Sequence, residues 1–169
     1  LASGDINGDG TDDLVVSSPL EDVGSVSFGG AVNVILFKPY TKFPVLSNKQ
    51  FTQNTGGVPG SAEKGDLFGL SLAVGDLDKD GYDDVAVGTV GEDIGSVLDA
   101  GSVHIFYGGP WGSYASGSKA LHQDSYGVPG KCEANDYFGF ALCIADYNGD
   151  GAADLAVGIN GEDTPNNPW

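Results

Sequence analysis

Basic residues are scarce in this chain: 7 Lys and Arg stand against 24 Asp and Glu in 169 residues, for a net charge of −17. That balance speaks against nucleic acid and anionic membrane surfaces as partners. No apolar run is long enough for a transmembrane helix, so no membrane insertion is expected of this segment. No stretch repeats apolar residues at i, i+3, i+4 and i+7 far enough to make a helix. No signal peptide is visible, and the chain opens inside what reads as a strand. There is no N-x-[ST] sequon. The two histidines, His104 and His122, have no Cys, Ser or carboxylate constellation around them in sequence and read as strand residues. No nucleophile, base or acid stands outside the acidic loops described next, so no enzyme is expected.

What is present is acidic and periodic. "DINGDGTDDLVV" begins at Asp5, "DLDKDGYDDVAV" at Asp76 and "DYNGDGAADLAV" at Asp146, at intervals of 71 and 70 residues. Each opens like an EF-hand loop, D-x-[DN]-x-[DN]-G. An EF-hand needs an acidic ligand at position 12. Here position 12 is Val16, Val87 and Val157. The chain has already left the ion by then and entered a strand. Side-chain oxygens at positions 1, 3, 5 and 9, with the backbone carbonyl at 7, can surround a hard cation. Ca²⁺, which takes six to eight oxygens in flexible geometry, suits this set better than Mg²⁺. Gly10, Gly81 and Gly151 at position 6 are expected because a Cβ would clash in the sharp turn. Position 8 is Asp12, Asp83 and Ala153, and the alanine shows that this position is not needed as a ligand. Three divalent ions would bring the net charge to roughly −11.

The rest of the chain repeats in register with the loops. "LFGLSLAVGDLDKDG" from Leu67 aligns with "YFGFALCIADYNGDG" from Tyr137. An alternating run follows each loop, then an acid-rich bend: "LED" at Leu20, "GED" at Gly91 and Gly161. "GAVNVILF" at Gly30 matches "GSVHIFYG" at Gly101, and "KQFTQNTGGVPG" at Lys49 matches "KALHQDSYGVPG" at Lys119. Each unit reads as four short strands of period two, with Gly, Pro, Asn and Asp at the boundaries. A repeat of this length built of four antiparallel strands is expected to be a blade of an all-β propeller. The expected units are 1–60, lacking most of strand one, 61–130, complete, and 131–169, with strands one and two only. That makes about two and a half blades. Phe68 and Phe138 are expected to pack between blades, with Gly69 and Gly139 allowing close strand approach. Asp22, Asp93 and Asp163 are expected to hydrogen-bond their bends. Trp111 and Tyr114, in "GGPWGSYASGS", are a loop-borne aromatic pair that either packs on its own blade or serves recognition.

These motifs carry a resemblance. Phe68-Gly69 and Phe138-Gly139, the D-x-[DN]-x-D-G-x-x-D loops and the G-[AS]-V-x-[VI] strands resemble FG-GAP repeats, the blades of integrin α-subunit propellers and of many extracellular proteins. The resemblance covers nearly the whole chain, although the Gly-Ala-Pro element is degenerate here. It implies three Ca²⁺ sites. Their ligands would be Asp5, Asn7, Asp9, the Thr11 carbonyl and Asp13; Asp76, Asp78, Asp80, the Tyr82 carbonyl and Asp84; and Asp146, Asn148, Asp150, the Ala152 carbonyl and Asp154. It also implies an extracellular or cell-surface setting. In such oxidising surroundings a Cys132–Cys143 disulfide is expected, with two reduced buried thiols as the alternative. The function implied is a calcium-stabilised binding or adhesion module for a protein or glycan ligand. Two alternatives stand beside it: a fibre or surface-layer subunit whose end units complete one another head-to-tail, and the accessory propeller of a secreted hydrolase.

Overall fold

The computed structural model describes residues 1–40 and 45–162, and these form ten strands and no helix. Three antiparallel meanders follow one another. The first runs β1 (Ala2–Gly4), β2 (Asp13–Ser18), β3 (Ala31–Phe37) and β4 (Val45–Phe51), paired in that order. The second repeats it with β5 (Ser71–Gly75), β6 (Asp84–Thr89), β7 (Ser102–Phe106) and β8 (Lys119–Leu121). The third holds β9 (Phe138–Ala145) and β10 (Asp154–Ile159). The register repeats as well: Leu14 faces Ile35 in the first sheet and Val85 faces Phe106 in the second. Because β1 pairs with β2 from Ala2↔Val15 to Gly4↔Asp13, the first sheet already has four strands, its first one short.

The sheets stack face to face. One apolar cluster, with Val15, Val34, Phe51, Phe68, Val85 and Phe106 among its members, fills the space between the first and second sheets. Another, including Ala86, Val103, Ile105 and Phe138, fills the space between the second and third. Phe68 has no exposed surface and sits edge-on to Phe106, at 6.1 Å between ring centroids. Burying a side chain of this size is worth about 1.5–3 kcal/mol. Phe138 is buried likewise. The expected alternation fails in the middle of the molecule. Every residue of β6 and β7 is buried, because the second sheet is covered on both faces.

Each seam is sewn by the segment before the next sheet. Gly65, Leu67 and Phe68 N–H donate to the carbonyls of Ser27, Phe28 and Gly29. Asn135, Tyr137 and Phe138 N–H donate to Leu98, Asp99 and Ala100 in the same way. The backbones come so close that Gly30 and Gly101 admit no side chain: an added Cβ would lie 2.3 Å from Phe68 O and 2.4 Å from Phe138 O. Gly69 is tight as well, with Ser17 Cβ and Val32 Cγ2 both at 2.8 Å.

The expected disulfide is not formed: Cys132 and Cys143 are both free thiols. Cys132 is buried in the loop before β9, where its sulfur lies 3.6 Å from His122 Nδ1 and its N–H donates to Asp124 Oδ1. Cys143 is exposed, in the middle of β9 opposite Ala156. Sequence proximity did not translate into facing thiols, because one cysteine is held by a turn and the other stands on an open sheet face.

Candidate metal centres in the hairpin loops

Each acidic loop is a hairpin between the first and second strands of its sheet, and all three close in the same way. The position-1 carboxylate draws the loop around itself. Asp9 N–H donates to Asp5 Oδ1 at 2.9 Å and Gly10 N–H to Asp5 Oδ2 at 2.8 Å. Asp76 takes the amides of Asp80 and Gly81 at 3.2 and 3.1 Å. Asp146 takes those of Asp150 and Gly151 at 3.2 and 2.8 Å, and Gly149 N–H besides. Position 3 accepts from the position-5 amide through Asn7, Asp78 and Asn148. Position 5 accepts from the position-7 amide, so Asp9, Asp80 and Asp150 hold Thr11, Tyr82 and Ala152.

The glycine at position 6 has a different reason from the one expected. Gly10 and Gly81 have nothing within 4 Å of an added Cβ, and Gly151 has only the tip of Lys79 at 3.9 Å. Their φ values of +83°, +88° and +81° demand glycine instead. A second left-handed residue sits at position 4: Gly8, Lys79 and Gly149. Lys79 carries a side chain there that pairs with Asp150 at 3.5 Å in the next loop and also donates to its carbonyl.

Position 9 does more than its place in the loop foretold. Asp13 and Asp84 are buried at the mouths of β2 and β6, and each ties its hairpin to the end of strand three. Phe37 N–H donates to Asp13 Oδ1 at 2.8 Å, and Gly108 N–H to Asp84 Oδ1 at 2.9 Å. Leu77 N–H also donates to Asp84, as Tyr147 N–H does to Asp154. Burial pushes the Asp13 carboxyl up and takes Asp84 up to about 6. The structure brings Asp76, Asp78 and Asp84 together, with one oxygen of each within 4.8 Å of the others. Asp13 Oδ2 is buried and makes no hydrogen bond of normal geometry, although the Ile6 amide acts on the carboxyl as the Leu77 amide does on Asp84. An acceptor-only atom so placed, on a carboxyl that Asp9 and Asp5 act on, fits a divalent cation, whose charge would also reverse the upward shifts. Carboxylate, amide and carbonyl oxygens form a hard donor set.

The loops form a row. Asp83 N–H donates to the Asp5 carbonyl, and Asp83 Oδ2 accepts from Asp5 N–H at 2.8 Å. Ala153 N–H donates to the Asp76 carbonyl. Position 8 thus links neighbouring loops through its backbone, which an alanine can do as well as an aspartate. The other residues singled out in sequence find structural places. Asp22 and Asp93 accept from the amides of Phe28 and Asp99, closing their bends; Asp163 lies outside the described residues. His104 is buried between Thr89 Oγ1 and the Pro59 carbonyl, and burial lowers it to about 4. Trp111 does not pack on its own sheet. It is 76% exposed, while Lys49 of the first sheet donates to its carbonyl and stands over the Tyr114 ring.

Comparison with known proteins agrees with this geometry. A model of the FG-GAP repeat matches residues 1–35, 68–106 and 138–168. The sequence is 32% identical to integrin alpha-3 of Cricetulus griseus over 94% of this chain and 13% of that protein. It is 37% identical to integrin alpha-PS5 of Drosophila melanogaster over 93% of this chain and 14% of that one. It is also 32% identical to phosphatidylinositol-glycan-specific phospholipase D of Rattus norvegicus, over 93% of this chain and 18% of the enzyme. The chain therefore spans less than a fifth of each of these relatives. The three matched segments fall on the three antiparallel sheets, which are β-propeller blades, and the chain belongs to the FG-GAP repeat family.

Proposed function

We propose that this chain is a calcium-stabilised, extracellular or cell-surface binding module of the adhesion type, with one Ca²⁺ in each of its three hairpin loops. Asp5, Asn7, Asp9 and Asp13 would hold the first ion with the Thr11 carbonyl. Asp76, Asp78, Asp80 and Asp84 would hold the second with the Tyr82 carbonyl. Asp146, Asn148, Asp150 and Asp154 would hold the third with the Ala152 carbonyl. The observation that carries the calcium reading is the convergence of Asp76, Asp78 and Asp84, one oxygen of each within 4.8 Å of the others, in a loop whose fold recurs at Asp5 and Asp146. The adhesion reading leans on the integrin alpha relatives, and the units at 1–60, 61–130 and 131–169 are its working division. The ion would supply positive charge that lets converging carboxylates fix each hairpin. The partner would be a protein or a glycan.

A second reading is favoured by one observation, the similarity to a phospholipase D. There the same blades would serve as the accessory propeller of a secreted hydrolase, adding no catalytic group of their own. Terbium luminescence tests the metal site. Tyr82, whose carbonyl is a proposed ligand and whose ring lies against Gly8 of the first loop, should sensitise Tb³⁺ in both loops, and Asp84→Asn should remove the middle loop's share of that signal. Binding of the chain to immobilised matrix proteins and to glycosylphosphatidylinositol, each with calcium and with EDTA, separates the two functional readings.

A further inference from the structure

Two recurring sequence features take no part in the cation loops: the Gln four residues after Lys49 and Lys119, and the Glu of the acid-rich bend. The structure joins them across each seam. Gln53 Nε2, after β4, donates to Glu92 Oε2, after β6. Gln123 Nε2 donates to Glu162 Oε2 at 2.6 Å on the next seam. Gln53 and Gln123 are only 1% and 2% exposed, and in both Oε1 has no hydrogen-bond partner. Glu21, at the same bend position of the first unit, lies exposed. The two bend glutamates that pair are the two that are partly buried.

Glu92 has acidic neighbours. Asp66 and Glu63 act on it from the segment before β5 and Asp93 from its own bend, while Asp99 acts in turn on Asp66. Gly60 closes the pair in, an added Cβ there lying 3.2 Å from Glu92 Oε1. Among the described residues the one side-chain ion pair is Lys79–Asp150, in the cation loops, so no ion pair offsets Glu92. Burial pushes the Glu92 carboxyl up to about 7, against the Gln53 Nε2–H bond, which favours the carboxylate, and it takes Asp66 up to about 6.

We propose that Gln53 and Glu92 form a proton-operated clasp on the first seam, closed when Glu92 is a carboxylic acid and loosened when it ionises. In the acid form the O–H donates to Gln53 Oε1 while the other oxygen accepts from Nε2. The orphan acceptor gains its donor and no charge is buried. In the carboxylate form the Nε2–H bond is charge-assisted, but Gln53 Oε1 stays unpartnered and the charge faces three other carboxylates at low local dielectric, which outweigh it. One proton passes between bulk water and Glu92, and no covalent bond other than O–H changes. The folded chain holds this proton more tightly than the unfolded one. The stabilisation is thus full below pH 4.5 and is lost as pH rises through about 7. His104, whose Nε2 meets Pro59 O beside Gly60, acts with opposite sign. Lowered from 6.5 to about 4, it costs stability as pH falls through that range. The two offset one another in a global unfolding curve, so the clasp must be read locally.

The test is a carbon-13 NMR titration of the glutamate carboxyls in the calcium-loaded chain, with Glu92→Gln to assign the resonance. The expected midpoint for Glu92 is near 7, against the ordinary 4.5; a midpoint near 4.5 overturns the clasp. Hydrogen exchange at the Leu67 amide, which crosses the seam to the Phe28 carbonyl, reads the consequence. Corrected for intrinsic chemistry, opening should rise on the order of tenfold or more between about pH 5.5 and 8 in the wild type and stay level in Glu92→Gln. Equal rises in both proteins would also overturn it. The wild-type titration stands even if the variant does not fold, since glutamate resonances can be assigned through their backbone.

Discussion

At Asp84 one carboxylate, with no exposed surface, accepts from two amides, Leu77 N–H and Gly108 N–H. Replacing it with Asn would set an NH₂ group against one of those donors. Asp84→Asn should therefore cost about 2–3 kcal/mol in urea unfolding even with EDTA present, and more with calcium. Asp12→Asn, at an exposed position 8, should stay within about 0.5 kcal/mol. That each acidic loop joins the first two strands of its sheet was legible from spacing, because the motif recurs three times in register with the strand-forming runs. The tie from position 9 to the third strand was not legible. It joins residues 24 apart, and nothing local in "DDVAV" marks the aspartate as a strand clamp. Nor was the true reason for Gly10, since sequence shows that a glycine is needed but not whether space or backbone angle needs it.

Between elements, the seams concentrate the constraints. Gly30 has φ +81° and meets the backbone of Phe68, whereas Gly24 has φ +65° and meets nothing within 4 Å. Gly24→Ala should cost about 1 kcal/mol for the left-handed backbone alone. Gly30→Ala adds a clash with atoms that cannot rotate away, and should cost about 3 kcal/mol or more by the same urea measurement. The strands themselves could be read from β-branched runs and turn residues. Their burial could not. "DVAVGT" alternates in sequence, yet β6 is buried throughout because another sheet lies on each side. A single strand carries no record of how many neighbours its sheet will have. The same limit explains the cysteines: eleven residues of sequence separation gave no information on which way β9 would turn Cys143.

Across the whole molecule, the acidic loops lie in a row, linked by Asp83 to Asp5, Ala153 to Asp76 and Lys79 to Asp150. Removing the ions should act on all three hairpins together, because each loop borrows hydrogen bonds from the next. A ligand that binds only the folded state stabilises by about 2.7 kcal/mol per site at a hundredfold excess over Kd. The melting temperature in excess EDTA should accordingly fall well below that in calcium. The repeat was visible in the sequence because its period is fixed. Its alternatives were harder to rank there. The head-to-tail fibre reading drew on the first unit's short strand one and the third unit's two strands, and the sheets have that composition, with Ala2–Gly4 as the short strand. The account rests most heavily on the ions, and their number is its most exposed claim. Calorimetric titration of the calcium-stripped chain should give three Ca²⁺ bound per molecule. A stoichiometry of one or none would mean that the acidic loops are ordinary hairpin turns and would contradict the account at its centre.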